Sequence, residues 1–178
     1  MEYSRIKRIF DAVLAFILLF LLFIPLLFLS LIIFIQTKQN PVFIQERGLS
    51  LNKNRFNIYK LRTLKNNLNA SEDNNISFNL NRTFKQNFIY PIGQFLRKTG
   101  IDELPQLVNI LKGEMTFVGP RPLDIQDLEN IKKNYPELYK KREKFNLKPG
   151  LTGYWQINKD TTGSINCLFK LDRYYFLH

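Results

Sequence analysis

Two adjacent carboxylates, Asp102 and Glu103, and an arginine framed by prolines, Pro120-Arg121-Pro122, are the residues of this chain best suited to do chemistry. A carboxylate can attack an electrophilic centre, accept a proton or hold a hard metal ion. An arginine between two prolines presents its guanidinium from a backbone with little freedom left to lose, which suits recognition of phosphate. Asp102 stands where a helix N-cap is expected. Pro105 falls in the first turn, where its missing N–H is tolerated, and Leu104, Leu107, Val108 and Leu111 recur at i, i+3, i+4 and i+7. Lys112 and Gly113 then supply a cation for the negative helix end and a residue tolerant of left-handed dihedrals. The spacing predicts a helix from the acidic pair to Lys112, whose N-terminus would favour ionised carboxylates and attract phosphate. A plainer reading makes the acids caps, worth ~1 kcal/mol of helix stability, and Pro-Arg-Pro a surface turn.

Cations cluster around this stretch in the sequence. Phe56 to Thr63 alternates apolar and polar residues as a short strand does, and a period of two puts Lys60 and Arg62 on one side. With Thr63 they could converge on one phosphate, or form a solvated basic edge. Arg97 precedes the acidic helix closely enough to lie beside Asp102, either as a structural salt bridge or as a group that keeps the carboxylate ionised and binds phosphate. The only histidine is the terminal residue His178, and the only cysteine is Cys167. Histidine catalysis, an intrachain disulfide and a His/Cys zinc site are therefore not expected.

The elements that must position these groups begin at a membrane. The chain of 178 residues fits one domain, and its net charge of +11 points to a polyanionic partner. Ala12 to Ile35 is apolar apart from Pro25 and Ser30, long enough for a bilayer core that needs about 20 residues, and too long for a signal peptide. Basic residues flank both ends, Arg5, Lys7 and Arg8 before and Lys38, Arg47, Lys53 and Arg55 after, so the positive-inside rule gives no direction. Equal flanks favour a hairpin and Pro25 would bend the helix at mid-run, but composition alone favours a kinked single-pass helix. Asp11 can pair with Lys7 and Arg8 at the interface. Lys65 to Asn87 is Asn-rich and reads as a loop. Leu123 to Phe145 reads as a charged helical surface interrupted at Pro136, whose Lys132, Lys133, Lys140, Lys141, Arg142 and Lys144 could meet anionic headgroups. Tyr154 and Trp155 are candidate interface anchors.

The run Asp102-Glu103-Leu104-Pro105-Gln106-Leu107, then Asn109, Leu111-Lys112-Gly113-Glu114-Met115 and Val118-Gly119-Pro120-Arg121-Pro122 closely resembles the bacterial sugar transferases that are monotopic phosphoglycosyl transferases. Similarity extends over nearly the whole chain, including Lys60-Leu61-Arg62-Thr63, the segment from Lys148 to Asn158 and Asp172 with Tyr175. Departures are Ile24 where serine often precedes the proline, Leu64 for methionine, Lys148 for arginine and Lys159-Asp160 for Gly-Arg.

The resemblance implies an α+β, mainly helical fold. Residues 1–38 would be a re-entrant membrane anchor, a helix-break-helix at Pro25, and residues 39–178 an interfacial catalytic domain with a short β element on the cytoplasmic face of the bacterial inner membrane. It implies transfer of a phosphosugar from a UDP-sugar to polyprenol phosphate with release of UMP, through a covalent intermediate on Asp102. Asp102 would also hold Mg2+, Glu103 would position the second substrate or the ion, and Lys60, Arg62, Arg97 and Arg121 would bind substrate phosphates. Gln156 and Asp172 would support them from further out. Anionic lipids are implied as partners and nucleic acid is not. The competing class is a membrane-anchored basic module that binds nucleic acid or acidic polymer and is indifferent to Asp102→Asn, but no RNA-binding or helix-turn-helix motif supports it.

Overall fold

The computed structural model describes residues 5–64, 89–144 and 146–157. Its first element, α1 (Arg5–Thr37), is a single helix that contains Pro25. Asp11, Ala15, Ile33 and Thr37 are buried on it, and these positions, with Leu18, Leu22, Leu26 and Leu29, follow the alternating three- and four-residue steps of one helix face. Phe16, Phe20, Phe23, Ile24, Leu27 and Phe28 are exposed. In water such a surface would be a liability, whereas against lipid it costs nothing.

After α1 the chain forms β1 (Val42–Gly48) and β2 (Phe56–Leu61), antiparallel, with Phe43 opposite Lys60 and Arg47 opposite Phe56. The two-residue strand β4 (Leu123–Asp124) adds on the far side of β1, so the sheet order is β2-β1-β4. Helix α2 (Pro91–Thr99) leads through Gly100 into a 3-10 helix (Ile101–Gln106) and then α3 (Leu107–Lys112). Strand β3 (Thr116–Val118) pairs in parallel with β5 (Gly150–Thr152), and between them lie β4, α4 (Ile125–Asn134) and α5 (Pro136–Glu143). A short α6 (Tyr154–Ile157) follows. The helical region expected after Leu123 is thus present, with α4 ending just before Pro136.

The core has three parts. Phe56, Ile58, Leu107, Ile110 and Met115 enclose Ala15 of α1, with Leu18, Leu19 and Leu22 against them. Leu61 and Leu96 enclose Ile33, with Leu26, Leu29, Ile92 and Ile101 alongside. Leu123, Leu128, Ile131 and Tyr139 form the third. Each fully buried Leu or Ile contributes about 1.5–3 kcal/mol, so one face of α1 is a wall of the domain's interior while the other is exposed and apolar.

Polar contacts fix the start of α1. Lys7 pairs with Asp11 at 3.0 Å, and Thr116 of β3 donates to the buried Asp11 carboxylate at 2.6 Å. Arg8 donates to the carbonyls of Ile110 (2.5 Å) and Leu111 (2.6 Å), satisfying the open end of α3 where the helix dipole is negative. Gly113 terminates α3 at φ 81, as the stop signal predicts, and a Cβ there would lie 3.1 Å from the Arg8 guanidinium.

Candidate active site

The site is built on the Gly100 turn. Gly100 adopts φ 76, a left-handed conformation that a side chain strains. The turn brings the last turn of α2, which carries Arg97, beside the first turn of the next helix, which carries Asp102 and Glu103. Here the structure corrects the sequence reading. Asp102 is not the cap of a helix running to Lys112: Gly100 holds the cap position, no side chain caps, and the acidic pair lies inside a 3-10 turn that becomes α-helical only at Leu107. Gly100, in the left-handed region, ends α2 and starts the new segment two residues before Asp102, so the acids fall inside its first turn, and Pro105 has no N–H to donate in either winding.

Asp102 is 7% exposed. Burial raises its pKa above the ordinary carboxylate value and the neighbouring Glu103 charge raises it further, while Lys60, Arg97 and its own backbone amide pull it down. Glu103 is ion-paired with Lys60 of β2 at 2.7 Å. Lys60 shares the parity of the buried Phe56 and Ile58, which pack against Ala15, Leu107 and Ile110. Arg97 is exposed as a residue, yet its Nε donates to Thr63 Oγ1 at 2.8 Å. Partial desolvation of that guanidinium lowers its pKa, and the charges of Asp102 and Glu103 raise it. Lys60, Arg97, Asp102 and Glu103 therefore form one cluster.

Arg121 belongs to a second cluster. Its guanidinium lies 4.6 Å from the centre of the Trp155 ring. Trp155 itself packs, partly buried, against the Leu123–Tyr139 cluster. Arg47 of β1 donates to Gln45 Oε1 at 2.9 Å and to the carbonyl of Pro122 at 3.3 Å. Burial lowers its pKa, Asp124 raises it, and it senses both Arg121 and Glu103. Arg47 thus lies electrostatically between the two clusters.

The remaining candidates lie elsewhere. Arg62 turns toward the α1–β1 connection, where its Nε donates to the Asn40 carbonyl at 2.8 Å and its guanidinium sits 5.8 Å from the Phe43 ring centre. Gln156 is in α6, its N–H donating to Gly153 at 2.9 Å. Asp172 and the stretch from Lys65 to Asn87 fall outside the described residues.

Three residues with no distinguishing local signal hold the second cluster. Arg47 looked like one of several flanking cations. Arg142, expected on a headgroup-facing surface, is fully buried. Asp127 in the first turn of α4 donates its N–H to Asp124 Oδ1 at 2.8 Å, and its own carboxyl is pushed up to about 6 by burial and Asp124, against Arg47 and Arg121.

That shift has a sign. A carboxylate whose folded pKa lies above its unfolded value of roughly 3.8 contributes stability when protonated, and loses it as pH rises through the folded value. Asp127→Asn is therefore expected to raise the melting temperature by about 3 °C near neutral pH, with the gain shrinking as pH falls through about 6 and gone below ~4. Thermal melts across that range measure it.

Among the described residues no group of three or more His, Cys, Asp or Glu side chains is arranged to hold a metal. Two adjacent carboxylates, one already paired to Lys60, do not make a closed protein cage. They suit Mg2+, which keeps several waters and is commonly bound by one or two carboxylates together with substrate phosphates.

The chain is similar over much of its length to known proteins. A family model described as bacterial sugar transferase matches residues 2–178. The chain is 34% identical to the sugar transferase EpsL of Bacillus subtilis, over 96% of this chain and 77% of that protein. It is 35% identical to the exopolysaccharide production protein ExoY of Rhizobium meliloti, over 85% of this chain and 68% of that one. It is 33% identical to the undecaprenyl-phosphate glucose phosphotransferase of Komagataeibacter xylinus, over 85% of this chain but 27% of that protein. Other matching relatives are also much longer: the match to a Haemophilus influenzae sugar transferase spans 17% of that protein.

Proposed function

This chain belongs to the bacterial sugar transferase family, and from that premise we propose that it transfers a phosphosugar from a UDP-sugar to undecaprenyl phosphate at the cytoplasmic face of the inner membrane. The observation that carries the reading is the buried Asp102 held between Glu103 and the cations Lys60 and Arg97. The Komagataeibacter relative and a Salmonella typhimurium protein, 46% identical over 39% of this chain, are named as undecaprenyl-phosphate glucose and galactose phosphotransferases.

In the first step a carboxylate oxygen of Asp102 attacks the sugar-bearing phosphorus. The bond to the bridging oxygen breaks, UMP leaves with that oxygen, and the phosphosugar remains on Asp102 as an acyl phosphate. In the second, a phosphate oxygen of the polyprenol attacks the same phosphorus, forms the diphosphate and returns Asp102 as a carboxylate. Lys60 and Arg97 balance the charge of the transferring phosphoryl oxygens, and Arg121 holds the donor diphosphate. Asp102, with Glu103 beside it, would hold Mg2+, and the bound ion would supply further neutralisation of phosphate charge.

The course of α1 supports an interfacial site. Contacts to the domain run from Asp11 to Ile33, about 33 Å along a straight helix, as long as the hydrocarbon core is thick, ~30 Å. A helix that crossed the bilayer would have to carry its catalytic domain through the lipid. We read both ends of α1 as lying at one face, the helix entering and leaving there, bent at Pro25.

The test is UMP release from a panel of UDP-sugars by protein in lipid nanodiscs with undecaprenyl phosphate and Mg2+. Sustained release that stops on chelation with EDTA is expected. Protein that is folded in lipid and releases UMP from no donor would overturn the reading.

A further inference from the structure

Pro120, Arg121 and Pro122 are the most thoroughly tethered run of backbone near the site. Two of the three have no N–H, so the run can be held chiefly through its carbonyls. Each of those carbonyls accepts a bond from a different element. Gly150 N–H of β5 donates to Pro120 O at 2.9 Å, Arg142 of α5 donates to Arg121 O, and Arg47 of β1 donates to Pro122 O at 3.3 Å. Just before the run, Gly119 N–H donates to Thr152 O at 3.0 Å. Arg121 precedes a proline, which already confines it to extended conformations. Its backbone is thus fixed on both sides, and its guanidinium rests on Trp155.

Arg142 is the unusual member. It is fully buried, and its Nε donates to Leu49 O at 2.7 Å while the other end of its fork reaches Arg121 O. Placing a guanidinium out of water costs several kcal/mol that an apolar side chain of similar size would avoid. A planar fork bridging two backbone carbonyls from separate loops does what no apolar side chain can, because it fixes their spacing and angle.

We propose that Arg142 is a positioning residue for Arg121: by bridging Leu49 O to Arg121 O it sets the direction from which the Arg121 guanidinium leaves the backbone and meets the donor diphosphate. Arg47, on Pro122 O, braces the same turn from the sheet. The inference rests on the role given to Arg121 above.

Trp155 is the only tryptophan in the chain, so its fluorescence reports whether Arg121 covers it. The experiment is a double-mutant cycle of Arg142→Lys and Arg121→Ala in nanodiscs, reading Trp emission without ligand, KM for the active UDP-sugar and kcat. Arg142→Lys keeps the charge but loses the fork. It is expected to shift the emission toward that of Arg121→Ala and to raise KM about 10-fold with kcat changed less than about 2-fold. Added to Arg121→Ala, it is expected to change neither readout further, since coupled residues are not additive. Equal effects of Arg142→Lys in both backgrounds would show a general structural role and overturn the proposal. Should Arg121→Ala itself leave KM unchanged, the assignment of Arg121 to the donor fails, and this inference with it. If Arg142→Lys shows no cooperative melt, the same cycle run with Arg47→Lys decides: non-additive emission shifts support the clasp, and additive or absent shifts overturn it.

Discussion

Asp102→Asn protein in nanodiscs is expected to release UMP at a rate at least about 10³-fold below wild type and to melt no lower. The first half follows from the proposed chemistry, because the amide has no anionic oxygen to form the acyl phosphate, and loss of a covalent nucleophile is among the largest single effects on turnover. The second half follows from the surroundings. Asparagine has the shape of aspartate, and Asp102 is buried beside Glu103, whose repulsion the substitution relieves. A residue serving only as a helix acid would behave oppositely, with activity kept and stability lowered. Intact mass closes the argument: with donor present and polyprenol phosphate withheld, wild type gains the mass of one phosphosugar and the variant gains none.

Arg97→Lys is expected to lower kcat/KM by about 100-fold with the fold retained. Arg97 Nε is aimed by Thr63 Oγ1 at 2.8 Å, and its head is close enough to Asp102 and Glu103 for their charges to act on it. A guanidinium fixed at Nε still has its terminal nitrogens for two parallel bonds to a phosphoryl group, whereas an ammonium offers a point charge and no such fork. Thr63→Val should reproduce part of the loss, about 10-fold, by freeing the guanidinium to turn while leaving its charge in place. Steady-state kinetics on the two variants and their combination separate charge from aim. If Arg97→Lys retains full kcat/KM, the arginine is only a surface partner for the acids.

Some of this arrangement is written in local sequence. The Gly113 stop, the alternation from Phe56 and the break at Pro136 all act through neighbours within a turn or two, and the structure shows the corresponding elements. Two features were not legible because they depend on partners far along the chain. Arg142 sits among lysines and glutamates with nothing to distinguish it from a solvated cation; only the meeting of α5 with the Leu49 and Arg121 carbonyls makes it an interior residue. Arg47 likewise gains its place from strand register, since β1 sets it opposite Phe56 on one side and Asp124 on the other. The error at Asp102 has a different origin. The local pattern places a cap at Asp102 and a proline in the first turn of one α-helix, whereas the left-handed turn at Gly100 starts the segment earlier, as a 3-10 helix.

Because Ala15 and Ile33 of α1 are fully enclosed by side chains from β2, α2 and α3, the anchor is not a tether that can be cut away or exchanged. Deleting it would open two apolar wounds in the remaining polypeptide, and a water-soluble fragment beginning at β1 would collapse or aggregate before it could be assayed. Detergents that strip lipid from the outer face of α1 act on the same helix that braces Leu107 and Ile110. With α1 in lipid as proposed, loss of activity on extraction is expected to track loss of folding.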